Sequence, residues 1–316
     1  MTKGFPVTGT STTSDGMTRA EWEGLSDQAT GYPANHFAFQ QVLNVLAEEQ
    51  ARTLVEIGIG QGSAIPIFAG AGLEMSGLDI DDALVAKSRQ AMADCGLNPD
   101  TVVWGDIRDG LTYPSLRRLA PFDSLLAMGV LPHVQHELSV LANMRALVRP
   151  GGLVFVECRN SLFSLITFNR YTHEFFMDEL FADAPADARK AIDAYLQSRL
   201  AMDRPPKRRD GHESTFHNPF EVPRMFRQAG LVDVVIRPFH YHAAMPVLEA
   251  ELGQSFRDGS LAMENEPSGW RGLFLCSAFI VQARRPLGDA GSGGAGSPLG
   301  ADIVAMGANP KESRHG

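Results

Sequence analysis

The 316-residue chain has only three cysteines, Cys95, Cys158 and Cys276, and no CxxC spacing. That excludes a disulfide framework and the common zinc-binding patterns, and it makes a reducing, cytoplasmic compartment the expectation. Long apolar runs are also missing. The stretch Ala64 to Leu73 is interrupted by Pro66 and Gly70 and falls far short of the ~20 residues of a membrane helix. No membrane association is expected. The first residues, Met1 to Met17, are rich in Thr, Ser and Gly and lack the apolar core of a secretory signal. Positive charge is scarce as well: 28 Lys and Arg against 37 Asp and Glu give a net charge of −9. Such a surface repels a phosphate backbone, so no nucleic-acid partner is expected. What remains is 44% apolar and 21% charged, the profile of a globular chain with a buried core.

Strand and helix signals alternate through the first half. Ala34 to Gln50 sets Phe37, Val42, Val45 and Leu46 near one helical stripe, and Thr53 to Ile59 is a β-favouring run ending in glycines. There follow a strand (Glu74 to Ile80), a helix (Asp82 to Cys95, stopped by Gly96) and strands at Thr101 to Trp104 and Phe122 to Met128. A helix at Val134 to Val148 precedes a strand at Gly152 to Cys158, after a Pro150-Gly151-Gly152 turn. This alternation predicts an α/β, Rossmann-like, doubly wound and mostly parallel seven-stranded sheet. It stops at Arg159. An aromatic-rich helical stretch (Phe163, Phe168, Tyr171, Phe175, Phe176, Phe181) and a helix over Pro185 to Met202 read as a helical cap insertion. A helix at Glu221 to Ala229 and strands at Leu231 to Ile236 and Leu273 to Val281 then complete the sheet. The predicted organisation is a tail at 1–20, a cofactor-binding core at 21–158, a cap at 159–220, the rest of the core at 221–285, and a Gly/Ser/Ala/Pro-rich tail at 286–316.

The informative motif is Leu54-Val55-Glu56-Ile57-Gly58-Ile59-Gly60-Gln61-Gly62, a strand running into alternating glycines. Glycines there permit a sharp turn and close approach of a ligand to the main chain. A dinucleotide fingerprint would need a third glycine at position 63, where Ser63 stands, which argues against NAD and a hydride-transferring dehydrogenase. Asp79 ends the second strand, where a carboxylate can accept from ribose hydroxyls. Asp106 ends the third strand, followed by Ile107. Both have a plainer reading as structural acids, and Asp81 or Asp82 is expected to cap the following helix.

The glycine loop resembles the E/D-x-G-x-G-x-G loop of class I S-adenosylmethionine-dependent methyltransferases. The likeness extends over Asp79, Asp106, Phe122 to His133 (FDSLLAMGVLPH), the Leu147 to Gly152 turn and Phe220 to Val235. It implies S-adenosyl-L-methionine as cofactor. Glu56 would sit near its methionine amino group, and Gly58, Gly60 and Gly62 would shape the loop. Asp79 and Ile80 would lie at the ribose, Asp106 and Ile107 at the adenine, and Met128 and Gly129 at the methionine part. Fold does not name the acceptor.

Methyl transfer needs an aligned acceptor and, for a protonated nucleophile, a base. The candidates are His133 after the fourth strand, first by position, and Tyr171 and His173 in the first cap helix. Further residues at strand ends are Glu157, Arg159 and Asn160. His173, His212, His217, His240 and His242 raise the question of a metal, but no compact four-ligand pattern exists, so no metal is expected. Lys207-Arg208-Arg209 reads as a solvated loop, because residues 159–227 carry 11 basic against 10 acidic residues. The expected acceptor is an oxygen or nitrogen of a small polar metabolite, such as a sugar or natural-product intermediate. The rivals are a protein or lipid-linked acceptor and a non-catalytic cofactor-binding protein with a regulatory or assembly role. Nothing in the sequence speaks to oligomeric state.

Overall fold

The computed structural model describes residues 34–200, 214–265 and 269–288. The 1–20 tail, nearly all of the C-terminal tail, and the polar loop with Lys207, Arg208, Arg209 and His212 lie outside them. The described chain divides into two units. The first comprises residues up to Cys158, then Phe220–Arg237 and the chain from Ile280; the second comprises Arg159–Pro219 and Pro238–Phe279. The sequence-derived division put all of 221–285 with the sheet. The difference lies in the segment after residue 242, which holds helices at Glu249–Leu252 and Gln254–Asn265, the second with Phe256 and Ser260 buried.

The strands are β1 (Thr53–Ile57), β2 (Glu74–Asp79), β3 (Val102–Trp104), β4 (Phe122–Ala127), β5 (Val148–Asn160), β6 (Phe216–His217), β7 (Val232–Tyr241) and β8 (Cys276–Arg284). Seven of them run in the order β3-β2-β1-β4-β5-β8-β7, and β6 adds two residues beside β5. Pairs β3–β2, β2–β1, β1–β4 and β4–β5 are parallel. The expected α/β class and mostly parallel sheet are therefore present. The inner strands are buried almost throughout, as parallel strands covered on both faces must be.

Two boundaries differ from the sequence-based expectation. The helix placed at Val134 runs over Glu137–Leu147, because Leu131–His133 is a 3₁₀ turn with Pro132 at its start and His136 takes a left-handed backbone at φ 58°. Strand β5 begins at Val148, ahead of the Pro150-Gly151-Gly152 turn. Phe122 pairs with Val148 but Ser124 with Leu153, so two residues of β4 span five of β5 and the turn is absorbed as a bulge.

Asp123 locks this corner. Its Oδ2 accepts the Arg52 and Thr53 N–H groups at 2.8 and 3.1 Å, and its Oδ1 accepts Arg149 Nε at 2.7 Å. Partial burial opposes the charged form, but Arg149 and the two N–H groups outweigh it and hold the carboxyl below its usual range. A depressed carboxyl stabilises the fold above its unfolded value, and that contribution disappears as pH falls through the folded value, here below about pH 4. Asp123→Asn should cost about 1–3 kcal/mol at neutral pH and flatten the acid limb of the stability curve, as read from denaturant melts at several pH values.

In the second unit, Asn160 is fully buried and donates to the carbonyls of Leu273 and Cys276 at 2.5 and 2.8 Å, while its Oδ1 caps Leu162 N–H. The aromatic stretch is chiefly packing: Phe163 and Phe175 are buried, and Phe176 lies 5.9 Å from Phe181. Phe168 is exposed.

Candidate active site

The register of the parallel strands builds the site. Leu78, Ile57, Ala127 and Val156 are linked partner by partner across β2, β1, β4 and β5. One residue further on, Asp79 closes β2, Gly58 and Met128 follow the ends of β1 and β4, and Glu157, inside the longer β5, stands level with them, at the carboxyl edge where open α/β sheets bind ligands. Three of these four are residues the sequence nominated for the cofactor. Glu157 was noted at a strand end but not ranked, because only the register shows that it stands level with the others. Its Oε2 accepts the Gly129 N–H at 2.6 Å, tying β5 to the turn after β4.

Each loop glycine has a positive φ, at 70°, 59° and 81° for Gly58, Gly60 and Gly62, so each favours glycine on backbone grounds. Their surroundings differ. A Cβ on Gly58 would run into the Val130 side chain, and one on Gly62 would meet Ile65, Ala91 and Ser88. Those two positions are closed by the chain itself. Over Gly60 the nearest atom, the Gly58 carbonyl oxygen, is 3.9 Å away, so the open approach attributed to all three glycines belongs to this one.

Asp79 fastens the loop: its Oδ2 accepts Gly60 N–H at 2.8 Å and its Oδ1 accepts Asp81 N–H at 2.9 Å. Asp81 in turn caps the helix Asp82–Asp94 through Ala83 and Leu84 N–H, as expected. Ile80 stands 54% exposed beside Trp104, which is 44% exposed and donates its indole N–H to the Ile80 carbonyl at 2.8 Å. Sequence reasoning used Trp104 only as a strand residue; its pairing with Asp79 brings it to this corner.

Glu56 is 4% exposed, and its Oε2 is buried without a hydrogen-bond partner. Burial and the neighbouring Asp79 charge push this carboxyl up to about 8. A buried orphan oxygen beneath an open glycine loop suits a site for a cationic ligand group. Asp106 departs from the simple expectation. Arg108 grips its carboxylate through Nε and Nη2 at 2.6–2.9 Å and, with its backbone N–H, holds the pKa down against partial burial. Arg108 would have to share this carboxylate with any adenine amino group. Ile107 is buried and its carbonyl accepts Asn143 Nδ2 at 2.7 Å.

His133 is exposed in the 3₁₀ turn, five residues beyond Met128. Tyr171 and His173 belong to the second unit. His173 Nε2 lies 2.6 Å from Asp193 Oδ1, a contact between two helices that fixes the ring's orientation. Tyr171 stacks at 5.4 Å on Phe216, with the Arg170 guanidinium 5.1 Å from its ring centre. His240 and His242 stack at 4.9 Å, and burial lowers them to about 4 and about 3, so both are neutral at pH 7. Among the described residues no group of three or more His, Cys, Asp or Glu could hold a metal ion, and no helix is long and apolar enough to cross a membrane.

Residues 55–154 match the model of a methyltransferase domain, the segment that holds β1 to β5 and every residue of the row except Glu157. A ubiquinone biosynthesis O-methyltransferase of Thiobacillus denitrificans is 25% identical over 201 residues, 63% of this chain and 73% of that protein. The namesake of Methylococcus capsulatus is 30% identical over 34% of this chain and 44% of its own length. A tRNA U34 carboxymethyltransferase of Pseudoalteromonas translucida is 32% identical over 34% of this chain and 32% of its own. The chain thus spans less than half the length of the latter two. Together with the strand order and the glycine loop, these matches support a methyltransferase domain of the class I S-adenosylmethionine-dependent type over residues 55–154.

Proposed function

We propose that the protein transfers the methyl group of S-adenosylmethionine to an oxygen or nitrogen of a small polar metabolite, with the cofactor lying along the row Asp79, Gly58 and Met128. Bound there, the cofactor supplies an electrophilic sulfonium methyl. In this reading Gly60 gives the ligand room, Asp79 takes ribose hydroxyls, Ile80 and Trp104 flank the adenine with Asp106 and Ile107 beyond, and Glu56 takes the methionine ammonium. The row itself carries the proposal, since it sets a carboxylate, an open loop and a strand-end turn on one edge. Methyl transfer forms the new C–O or C–N bond while the C–S bond breaks, and its electron pair stays on sulfur. The acceptor's proton, where it has one, must go to a base or to water.

His133, on the same side of the sheet end as Met128 and Gly129 by chain connection, is the proposed base. Tyr171 and His173 are proposed on the acceptor side from chain order alone. A small acceptor is supported by the net charge of −9, which disfavours polyanions, and by the names of the ubiquinone-pathway relatives. The tRNA-modifying relative makes transfer RNA the comparison arm of the test. The experiment is a labelled-methyl screen over phenols, sugars, amines and transfer RNA. With a working acceptor, His133→Ala should lower kcat by about 10²–10⁴-fold with little change in KM; methylation of transfer RNA alone would overturn the small-acceptor reading.

A further inference from the structure

Glu56 is unusual among the acids of the site because, among the described residues, no hydrogen-bond partner meets its Oε2 and no positive charge acts on it. Across the sheet its row neighbours are Gly77 on β2 and Leu126 on β4, and the loop over it, residues 58–62, carries no charge. The charge acting on it is the carboxylate of Asp79, whose two oxygens are already engaged by Gly60 and Asp81 N–H groups. Two adjacent carboxylates, one fully buried, are costly unless one keeps its proton. The upward shift of Glu56 agrees with that geometry. In the free protein at pH 7 it is a neutral acid, and its orphan Oε2 lacks a partner until a cation arrives.

We propose that cofactor binding expels a proton from Glu56: the ammonium group of the ligand's methionine part turns the neutral acid into a carboxylate, and one proton leaves to solvent for each cofactor bound. The proposal rests on the placement of the cofactor over the Gly58–Gly62 loop given above. Its physical basis is that a buried carboxylate needs a compensating positive charge or hydrogen-bond donors, and Glu56 Oε2 has no hydrogen-bond partner among the described residues. The sign follows directly. The bound state holds one proton fewer, so affinity rises with pH up to the free-state value and levels off above it. The ligand's own amino group loses its charge near pH 8, so the informative range ends there.

The test is calorimetric titration of the full chain with S-adenosylhomocysteine, which keeps the ammonium group, near pH 7 in buffers of low and high ionisation enthalpy. Between about half a proton and one proton should be released per ligand, and Kd should tighten by about 10-fold or more from about pH 6 to pH 8. Methylthioadenosine, which keeps the nucleoside and thioether but lacks the amino acid part, should release no proton. Glu56→Gln should bind S-adenosylhomocysteine more weakly and release none. Absence of release from the wild type, or equal release from Glu56→Gln or with methylthioadenosine, would overturn the proposal. If Glu56→Gln does not fold, the comparison of the two ligands on the wild type still decides. Equal S-adenosylhomocysteine affinity in Gly60→Val would instead refute the placement of the cofactor, a separate failure.

Discussion

Gly60→Val is expected to abolish measurable binding of S-adenosylhomocysteine, a loss of more than about 100-fold, in a protein that still folds. The volume above Gly60 is open, with the Gly58 carbonyl oxygen 3.9 Å from where a Cβ would sit, so the new side chain meets the ligand and not the chain. Valine at φ 59° carries a backbone penalty of about 1–3 kcal/mol, a modest lowering of Tm. Gly62→Val provides the contrast. There the added carbons run into Ile65, Ala91 and Ser88, and overpacking adds about 1–3 kcal/mol to the strain, so that variant should lose stability first. Thermal melts alongside titrations separate the two outcomes. Equal affinity of wild type and Gly60→Val would remove the loop from the site.

Asp79→Ala is expected to have the next largest effect on cofactor binding. This carboxylate holds the loop through Gly60 N–H and the following turn through Asp81 N–H, and in the proposed site it also receives the ribose hydroxyls. Hydrogen bonds to a charged group contribute about 1.5–3 kcal/mol each, so cofactor affinity should fall by about 10- to 150-fold. The same substitution removes the charge that helps raise Glu56, so that carboxyl should titrate lower in the variant. NAD should bind neither protein. An Asp79→Ala variant with unchanged affinity would place the ribose elsewhere.

These residues were legible in the sequence because their signals are local. Alternating glycines after an apolar strand, and an acid at the end of the next, each announce a backbone requirement within a few positions. Glu157 and Trp104 were not legible in that way. Their place beside Gly129 and Ile80 depends on strand register across β4 and β5 or β2 and β3, which no short window encodes. Chemistry that depends on occupancy was equally hidden: Asp106 reads as an available acceptor until Arg108 is seen holding both its oxygens. The Asp193 contact of His173 is likewise invisible in the sequence. The core strands were found within a few residues, whereas the bulge in β5 and the four-residue helix Glu249–Leu252 lack the periodicity that sequence patterns reveal.

The central claim, that the loop Gly58–Gly62 with Asp79 binds S-adenosylmethionine, is tested most directly by titrating the wild-type protein with S-adenosylhomocysteine and, separately, with NAD. The account predicts saturable one-to-one binding of S-adenosylhomocysteine that is lost in Gly60→Val, and no binding of NAD. Tight NAD binding, or S-adenosylhomocysteine binding that survives Gly60→Val undiminished, would contradict it.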